Sequence, residues 1–480
     1  MHSRSDLPSL RSTIRLGGKG SDEKTPWFDV KFYPYNATDP IFAVTGGRNT
    51  VICRCVAGKD RSIDILRWFE DDEDVTYNSL EWSRGPTGDP LVCLAGDKYH
   101  INVMSVTTGQ LVTTLSGHGD CISDLAVSPV DPTILVSAAM DHGLRIWSLD
   151  PAHRKQPTAA ILYGEGHTQG VLTVAFHRKG KYILSGGMDT KMVLWMIPEA
   201  LNEHLGTDKP GLIHYPLFVT SEVHTDYVDC VRFYNDMILS RSAKDNKIIL
   251  WSIDNFDSSH APPSSPPIPP STAVHSNQPA TVPASSVTGT RSAWGGRFQR
   301  LLQFEFPHAE VFYIRFGLFH QWGQHPILVA GDMVSCLHFW DLERIEDDIN
   351  SEEKDGPAPS AVHALLGGQG AREGSAVSNE SSRSGSRSTT TTGAVGKLPG
   401  KRRGRQPKEK EVVSRIGNPF KSLKWHKRIE VPRVAFTTRQ IAWSLNGQWC
   451  VAVGDFGMIN VMSRWEHEVP PREEEAARPQ

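Results

Sequence analysis

Over most of the chain, apolar side chains alternate with polar ones in short runs, and the runs are parted by turns carrying Gly, Asp and Asn. A period of two belongs to a half-buried β-strand, whose successive side chains face opposite sides. Residues 117–150, GHGDCISDLAVSPVDPTILVSAAMDHGLRIWSLD, show the pattern in full. A Gly-His pair opens the stretch, alternating runs follow, and the tight turn Asp141-His142-Gly143 leads into a strand over 144–147. No segment holds apolar residues at the 3.6-residue spacing of a long amphipathic helix.

The polar residues inside this pattern have a structural use. His118, Ser137, Asp141 and Trp147 can form one hydrogen-bonded chain, with the carboxylate taking turn amides and imidazole while the indole N–H meets the Ser hydroxyl. The same residue types recur at the same Ser-to-Asp and Asp-to-Trp spacings in His167, Ser185, Asp189 and Trp195. A third copy has His224, Asp245 and Trp251, but Ser240 and Ser242 each miss the expected offset by one, which predicts an altered network there. A fourth closes on Trp340-Asp341; weaker copies keep the turn Asp and close on Val, as Asp97 before Val103 and Asp455 before Val461. Residues 32–55 alternate around Gly46-Gly47 and complete seven units. Such a unit cannot bury its own faces, so only a ring of them is stable, and seven units of about 40 to 45 residues need about 280 to 315 residues. The expected fold is all-β, a seven-bladed WD-repeat β-propeller. Ser, His and Asp together also suggest a hydrolase, but no GxSxG elbow presents the Ser.

The ring is expected over residues 27–465, after a disordered arm at 1–26 and before a disordered acidic tail at 466–480. Two low-complexity insertions fall between blades, where added loop length costs little entropy: about 254–295, rich in Pro, Ser and Thr, and about 350–413. The acidic run at 70–74 reads as a solvated loop. Gly17-Gly18-Lys19 lacks the spacing of a phosphate loop. Lysine and arginine number 51 against 54 acidic residues, so net charge predicts neither a nucleic-acid nor a membrane partner. The basic run from Lys401 to Lys410 is clustered; it reads as a nuclear-import signal or a plain solvated run, with direct nucleic-acid contact as the alternative. Seven cysteines without a CxxC favour reduced thiols in a cytosolic or nuclear protein. The first thirty residues hold no apolar core of signal-peptide length, and no membrane-spanning run follows. With no metal set, phosphate loop or nucleophile elbow, neither catalysis nor a cofactor is expected.

Several stretches carry a more specific resemblance: Val30-Lys31-Phe32, the whole run 117–147, Ser185-Gly186-Gly187-Met188-Asp189, Tyr227-Val228-Asp229-Cys230-Val231-Arg232, Phe312-Tyr313-Ile314-Arg315-Phe316 and Phe339-Trp340-Asp341-Leu342-Glu343. In this order they resemble the embryonic ectoderm development / extra sex combs family, WD-repeat subunits of Polycomb repressive complex 2. The resemblance implies a nuclear, non-catalytic scaffold that holds a histone methyltransferase subunit and reads a trimethylated lysine of a histone tail in an aromatic cage. A quaternary ammonium offers no hydrogen-bond donor, so π faces must bind it, at about 0.5 to 2 kcal/mol each. By resemblance Phe32 and Tyr313 occupy cage positions and Phe312 a flanking one. The family motif places a further Tyr four residues before a Trp, where this chain has Asn78 before Trp82; Tyr77, one position earlier, reaches the cage if the strand start is bulged. Arg315, on the strand face of Tyr313, either steadies the cage, reaches peptide carbonyls or joins two blades. A generic propeller adaptor without methyl-lysine reading shares every fold argument and is the competing reading.

Overall fold

The computed structural model describes residues 7–17, 25–58, 61–71, 74–269, 289–345, 418–432 and 435–465. Among these, the strands assemble into seven sheets of four or five strands, the blades of a β-propeller. The first strands of successive blades are Asp29–Phe32, Tyr77–Arg84, Ile122–Val127, Val171–Phe176, Val228–Tyr234, Gly317–Phe319 and Thr438–Trp443. Each pairs within its own blade and also packs against a first strand of a neighbouring blade, so that together they line the channel. Apolar residues from facing sheets fill the gaps between blades, as Val44 with Val451 and Ala160 with Val174. Each blade or its lead-in also buries one tryptophan: Trp27, Trp82, Trp147, Trp195, Trp251, Trp340 and Trp449. No described helix is long and apolar enough to cross a membrane.

The ring closes between distant parts of the chain. Ser9–Arg15 is a strand, antiparallel to Met458–Ser463, and forms the outer edge of blade 7. The expected disordered arm at 1–26 is therefore corrected over residues 7–17. Its polar composition follows from its position, because an outermost strand covers one face only; Leu10 and Ile14 turn inward while Ser9, Arg11, Thr13 and Arg15 alternate with them.

Blades 3, 4 and 5 each gain a fifth strand, respectively Gly211–Ile213, Thr290–Ser292 and Ser422–Leu423. Thr290–Ser292 lies inside the stretch expected to be a disordered insertion, yet it pairs with Phe218–Thr220. The other flank of that insertion is also packed: Phe256 is buried, 5.2 Å from Tyr182 and 5.0 Å from Trp294 between ring centroids. These two segments correct the insertion's boundaries, since their apolar anchors are few but sit opposite blade residues. The insertion at 350–413, the basic run Lys401 to Lys410 and the tail at 466–480 lie outside the described residues.

Buried carboxylates and strand bulges shape the channel. Asp29, Asp124 and Asp229, on blades 1, 3 and 5, are buried, and each accepts the amide of the next blade, from Leu80, Val174 and Tyr313, at 2.9 Å. In addition, the first strands of blades 2, 3, 4, 5 and 7 shift register near their start, releasing Asn78, Ser123, Leu172, Asp229 and Arg439 from the ladder.

Candidate functional site

The outer turns are built from the recurring polar set. In blade 3, His118 Nδ1 lies 2.9 Å from Asp141 Oδ2 and Nε2 lies 2.6 Å from Ser137 Oγ, which also accepts the Trp147 indole at 2.7 Å. Burial alone would raise the Asp141 carboxyl; the hydrogen bond and charge of His118, with the amides of Gly119 and Gly143, outweigh it and hold the carboxyl at about 2. Blade 4 repeats the chain through His167, Ser185, Asp189 and Trp195, and Asp189 again sits at about 2 against the effect of burial. Both serines are fully buried between an imidazole and an indole, so no substrate reaches their hydroxyls.

Blade 5 corrects the expected altered network. Ser240 joins His224 at 2.8 Å to Trp251 at 2.9 Å, and His224 meets Asp245 at 3.1 Å. The additional residue between Ser240 and Asp245 is taken up in the turn, where Asp245 N bonds Ser242 O. Blade 6 departs instead: the Trp340 indole donates to Leu423 O. At the weaker copies, Asp97 accepts the Thr76 amide and Asp455 pairs with Arg439.

The mouth of the channel at the starts of the first strands gathers aromatic rings. Phe28 stands edge-on to Tyr313, with centroids 5.8 Å apart, and Tyr313 stands 5.7 Å from Phe312. Phe28 is half-buried, Tyr313 buried, and Phe312 43% exposed. The Tyr313 hydroxyl donates to Asn78 O at 2.8 Å and Ser123 O at 3.1 Å, so the side chain crosses from blade 6 to blades 2 and 3. Burial raises its pKa well above the usual phenol range and keeps it neutral.

Tyr313 has φ +65°, in the left-handed region that a ring-bearing residue seldom adopts. Surrounding bonds hold it there. Asp229 accepts its amide, Arg439 donates to Phe312 O, and Arg241 reaches Ala309 O, Val311 O and Ile314 O as well as Asp229. Beneath the ring, fully buried Arg315 pairs with Asp124 at 2.7 Å and donates to Ser123 O and Leu172 O, its guanidinium 4.6 Å from the Tyr313 centroid. Burial opposes the Arg315 charge, but Asp124 outweighs it, and the pair joins two blades across the channel under the ring.

Two expected cage residues lie elsewhere. Phe32 is in the core between blades 1 and 7, 5.4 Å from Phe42, at the far end of its strand. Four residues of strand span roughly 13 Å, which separates it from the mouth; Phe28, at the strand's start, is the ring present there. Tyr77 stays in the ladder opposite Gly96, packs between blades 1 and 2, and bonds Asp71 and Asn102 through its hydroxyl. The strand start is bulged, but the bulge releases Asn78 rather than Tyr77, because neighbouring residues face opposite sides.

The WD domain, G-beta repeat family matches residues 109–148 and 160–196. Polycomb protein EED of Chaetomium thermophilum is 33% identical over 559 residues, covering 96% of this chain and 97% of that protein. The chain belongs to the EED family of Polycomb proteins. Polycomb protein esc of Drosophila melanogaster is 27% identical over 319 residues, covering 63% of this chain and 66% of that protein. A chain from a structure of ctPRC2 in complex with H3K27me3 and H3K27M is 31% identical with a TM-score of 0.77, covering 96% of this chain and 99% of that one.

The other mouth of this EED-family ring differs in kind. A cavity of about 400 Å³ opens there, lined by Lys31, Glu81, Arg178, Arg232 and His320 over an apolar floor that includes Val127 and Phe176. Lys31 and Glu81 pair at 2.6 Å. Among the described residues no cluster of His, Cys, Asp and Glu could hold a metal, and all seven cysteines are free thiols. Sequence reasoning missed Phe28, Asp229, Arg241 and Arg439 as residues of the mouth, and knew Asn78 only as the residue standing where the family motif has a Tyr. The signal for Phe28 was its place at the onset of alternation, directly before Asp29.

Proposed function

We propose that this EED-family chain is the non-catalytic reader and scaffold subunit of a nuclear Polycomb-type histone methyltransferase complex. At the aromatic mouth it binds a methylated lysine of a histone tail, trimethyl-lysine in the family it belongs to, and elsewhere on the ring it holds the methyltransferase subunit. The observation that carries the reading is the convergence of Phe28, Phe312 and Tyr313 from two blades on one channel opening. Separated aromatics whose faces meet at an opening suit an alkylated ammonium, which ring quadrupoles attract without a hydrogen bond. A ctPRC2 structure that contains a similar chain, solved in complex with H3K27me3 and H3K27M, supports it.

Titration of unmethylated and methylated histone H3 peptides tests the reading. Methylation should tighten binding, and Tyr313→Phe should retain much of that gain where Phe28→Ala loses it. Equal affinity for both peptides would overturn the reader role. Co-purification of a histone methyltransferase from nuclear extract tests the scaffold role separately.

A further inference from the structure

The strand bulges that ring the aromatic mouth do not all end alike. In blade 5 the released Asp229 accepts the Tyr313 amide and pairs with Arg241, and in blade 7 the released Arg439 bonds Phe312 O and Asp455. In blade 2 the released Asn78 meets the same loop only through its backbone, its carbonyl accepting the Tyr313 hydroxyl. Its side-chain amide makes no hydrogen bond among the described residues, and Oδ1 is enclosed without a donor. Asn78 thus carries an unspent acceptor at the mouth; Asp229 Oδ1 is also without a partner, but its carboxylate is already committed to Arg241 and the Tyr313 amide. An amide oxygen in this state is costly unless something donates to it.

We propose that Asn78 sets the methylation state read at this mouth, by accepting the N–H that a dimethyllysine ammonium keeps and a trimethyllysine ammonium lacks. The proposal rests on the methyl-lysine reading of the site and narrows it. Phe28, Phe312 and Tyr313 supply ring surface to any methylated ammonium, whereas only the lower methylation states can donate to Asn78 Oδ1. The terminal torsion of an asparagine is soft, and turning this amide toward a ligand breaks no bond it now makes. One face of the Tyr313 ring is already occupied by the Arg315 guanidinium, 4.6 Å from its centroid. A ring whose electrostatic attraction is shared with a fixed cation holds a second cation less strongly, which raises the weight of a hydrogen bond at the opposite wall.

The test is a titration of one histone H3 peptide, carrying zero, one, two or three methyl groups on a single lysine, against the full chain and two variants. The wild type should bind the dimethyl peptide roughly three- to tenfold more tightly than the trimethyl one, the worth of one hydrogen bond. Asn78→Leu keeps the size and removes the acceptor; it should abolish that ratio by weakening the dimethyl peptide alone. Asn78→Tyr adds a ring and should reverse the preference toward trimethyl. Wild-type affinity for the trimethyl peptide equal to or above the dimethyl, with both above unmethylated, would overturn this inference and leave the reader role standing. A ratio unchanged in Asn78→Leu would overturn the part given to Asn78, and indifference to methylation altogether would overturn both.

Discussion

Asp141, at an outer turn of blade 3, and Asp229, inside the channel, each hold a stretch of backbone, but they hold it with different partners and over different distances. Asp141 serves its own blade: a histidine and two turn amides within it bring the carboxyl down to about 2. Asp229 is fully enclosed, binds the charged Arg241 and reaches the amide of Tyr313 in the next blade; there burial prevails and raises its pKa despite the guanidinium. The first device recurs at Asp189 and Asp245 and stabilises blades one by one. The second recurs at Asp124, which takes the Val174 amide and pairs with Arg315, and at Asp229 it shapes the loop that carries Phe312 and Tyr313. Interactions within single blades build the ring, while long-range ones between blades build its mouth.

Acid should separate the two devices most widely. A carboxyl with a folded pKa below its unfolded one contributes stability that is complete above the unfolded value and is lost as pH falls through the folded value. For Asp141, Asp189 and Asp245, each at about 2, the loss falls between about pH 4 and 2. It is of order 2 kcal/mol for each. Asp229, shifted the other way, adds nothing to it. Urea midpoints measured from pH 7 downward should drop over that window in the wild type and far less when all three are changed to Asn. A triple variant as acid-sensitive as the wild type would break the comparison.

Breaking the channel pair comes next. Arg241→Met leaves Asp229 buried and unpaired and strips the 309–314 loop of its donor, at a cost of about 3 to 5 kcal/mol in chemical denaturation. Methyl-peptide binding should fall with it. Asp141→Ala costs less, about 1 to 3 kcal/mol, and should leave peptide affinity unchanged once the protein is folded. Loss of peptide binding in Asp141→Ala without loss of stability would show that the outer turns are not merely structural. The smallest change is Phe28→Ala, which should leave the denaturation midpoint nearly unmoved while weakening the methylated peptide by about 1 to 2 kcal/mol, roughly 5- to 30-fold.

The same contrast decides what could be read from sequence. His118, Ser137, Asp141 and Trp147 announce themselves because their types and spacings return one blade later, and the seven-bladed ring follows from that recurrence. Blade 5 shows the limit of reading by spacing, since a turn can absorb one residue without moving the side chains it joins. The mouth has no such echo. Phe28 and Tyr313 are far apart in the chain and meet only when the ring closes, while Phe32 shares with Phe28 a strand but not an end of it. Asp229 and Arg241 look like ordinary strand residues until the 309–314 loop is laid over them. Ser9–Arg15 was missed for a different reason: an outer strand needs little apolar content, so its composition reads as that of a loose arm.

That outer strand also sets a clock. Thr13 bonds Asn460 across 447 residues of chain, so the last blade has no outer edge until its partner has been synthesised. At roughly 5 to 20 residues per second, about 20 to 90 seconds separate the two. Throughout that interval the Ser9–Arg15 segment has no partner strand, and the channel cannot close however many blades have been made. Tyr313 can span to blades 2 and 3, and Arg315 to Asp124, before the clasp shuts, so the cross-channel contacts of the aromatic mouth are in a position to gather the ring during translation and hold its ends near enough to be joined.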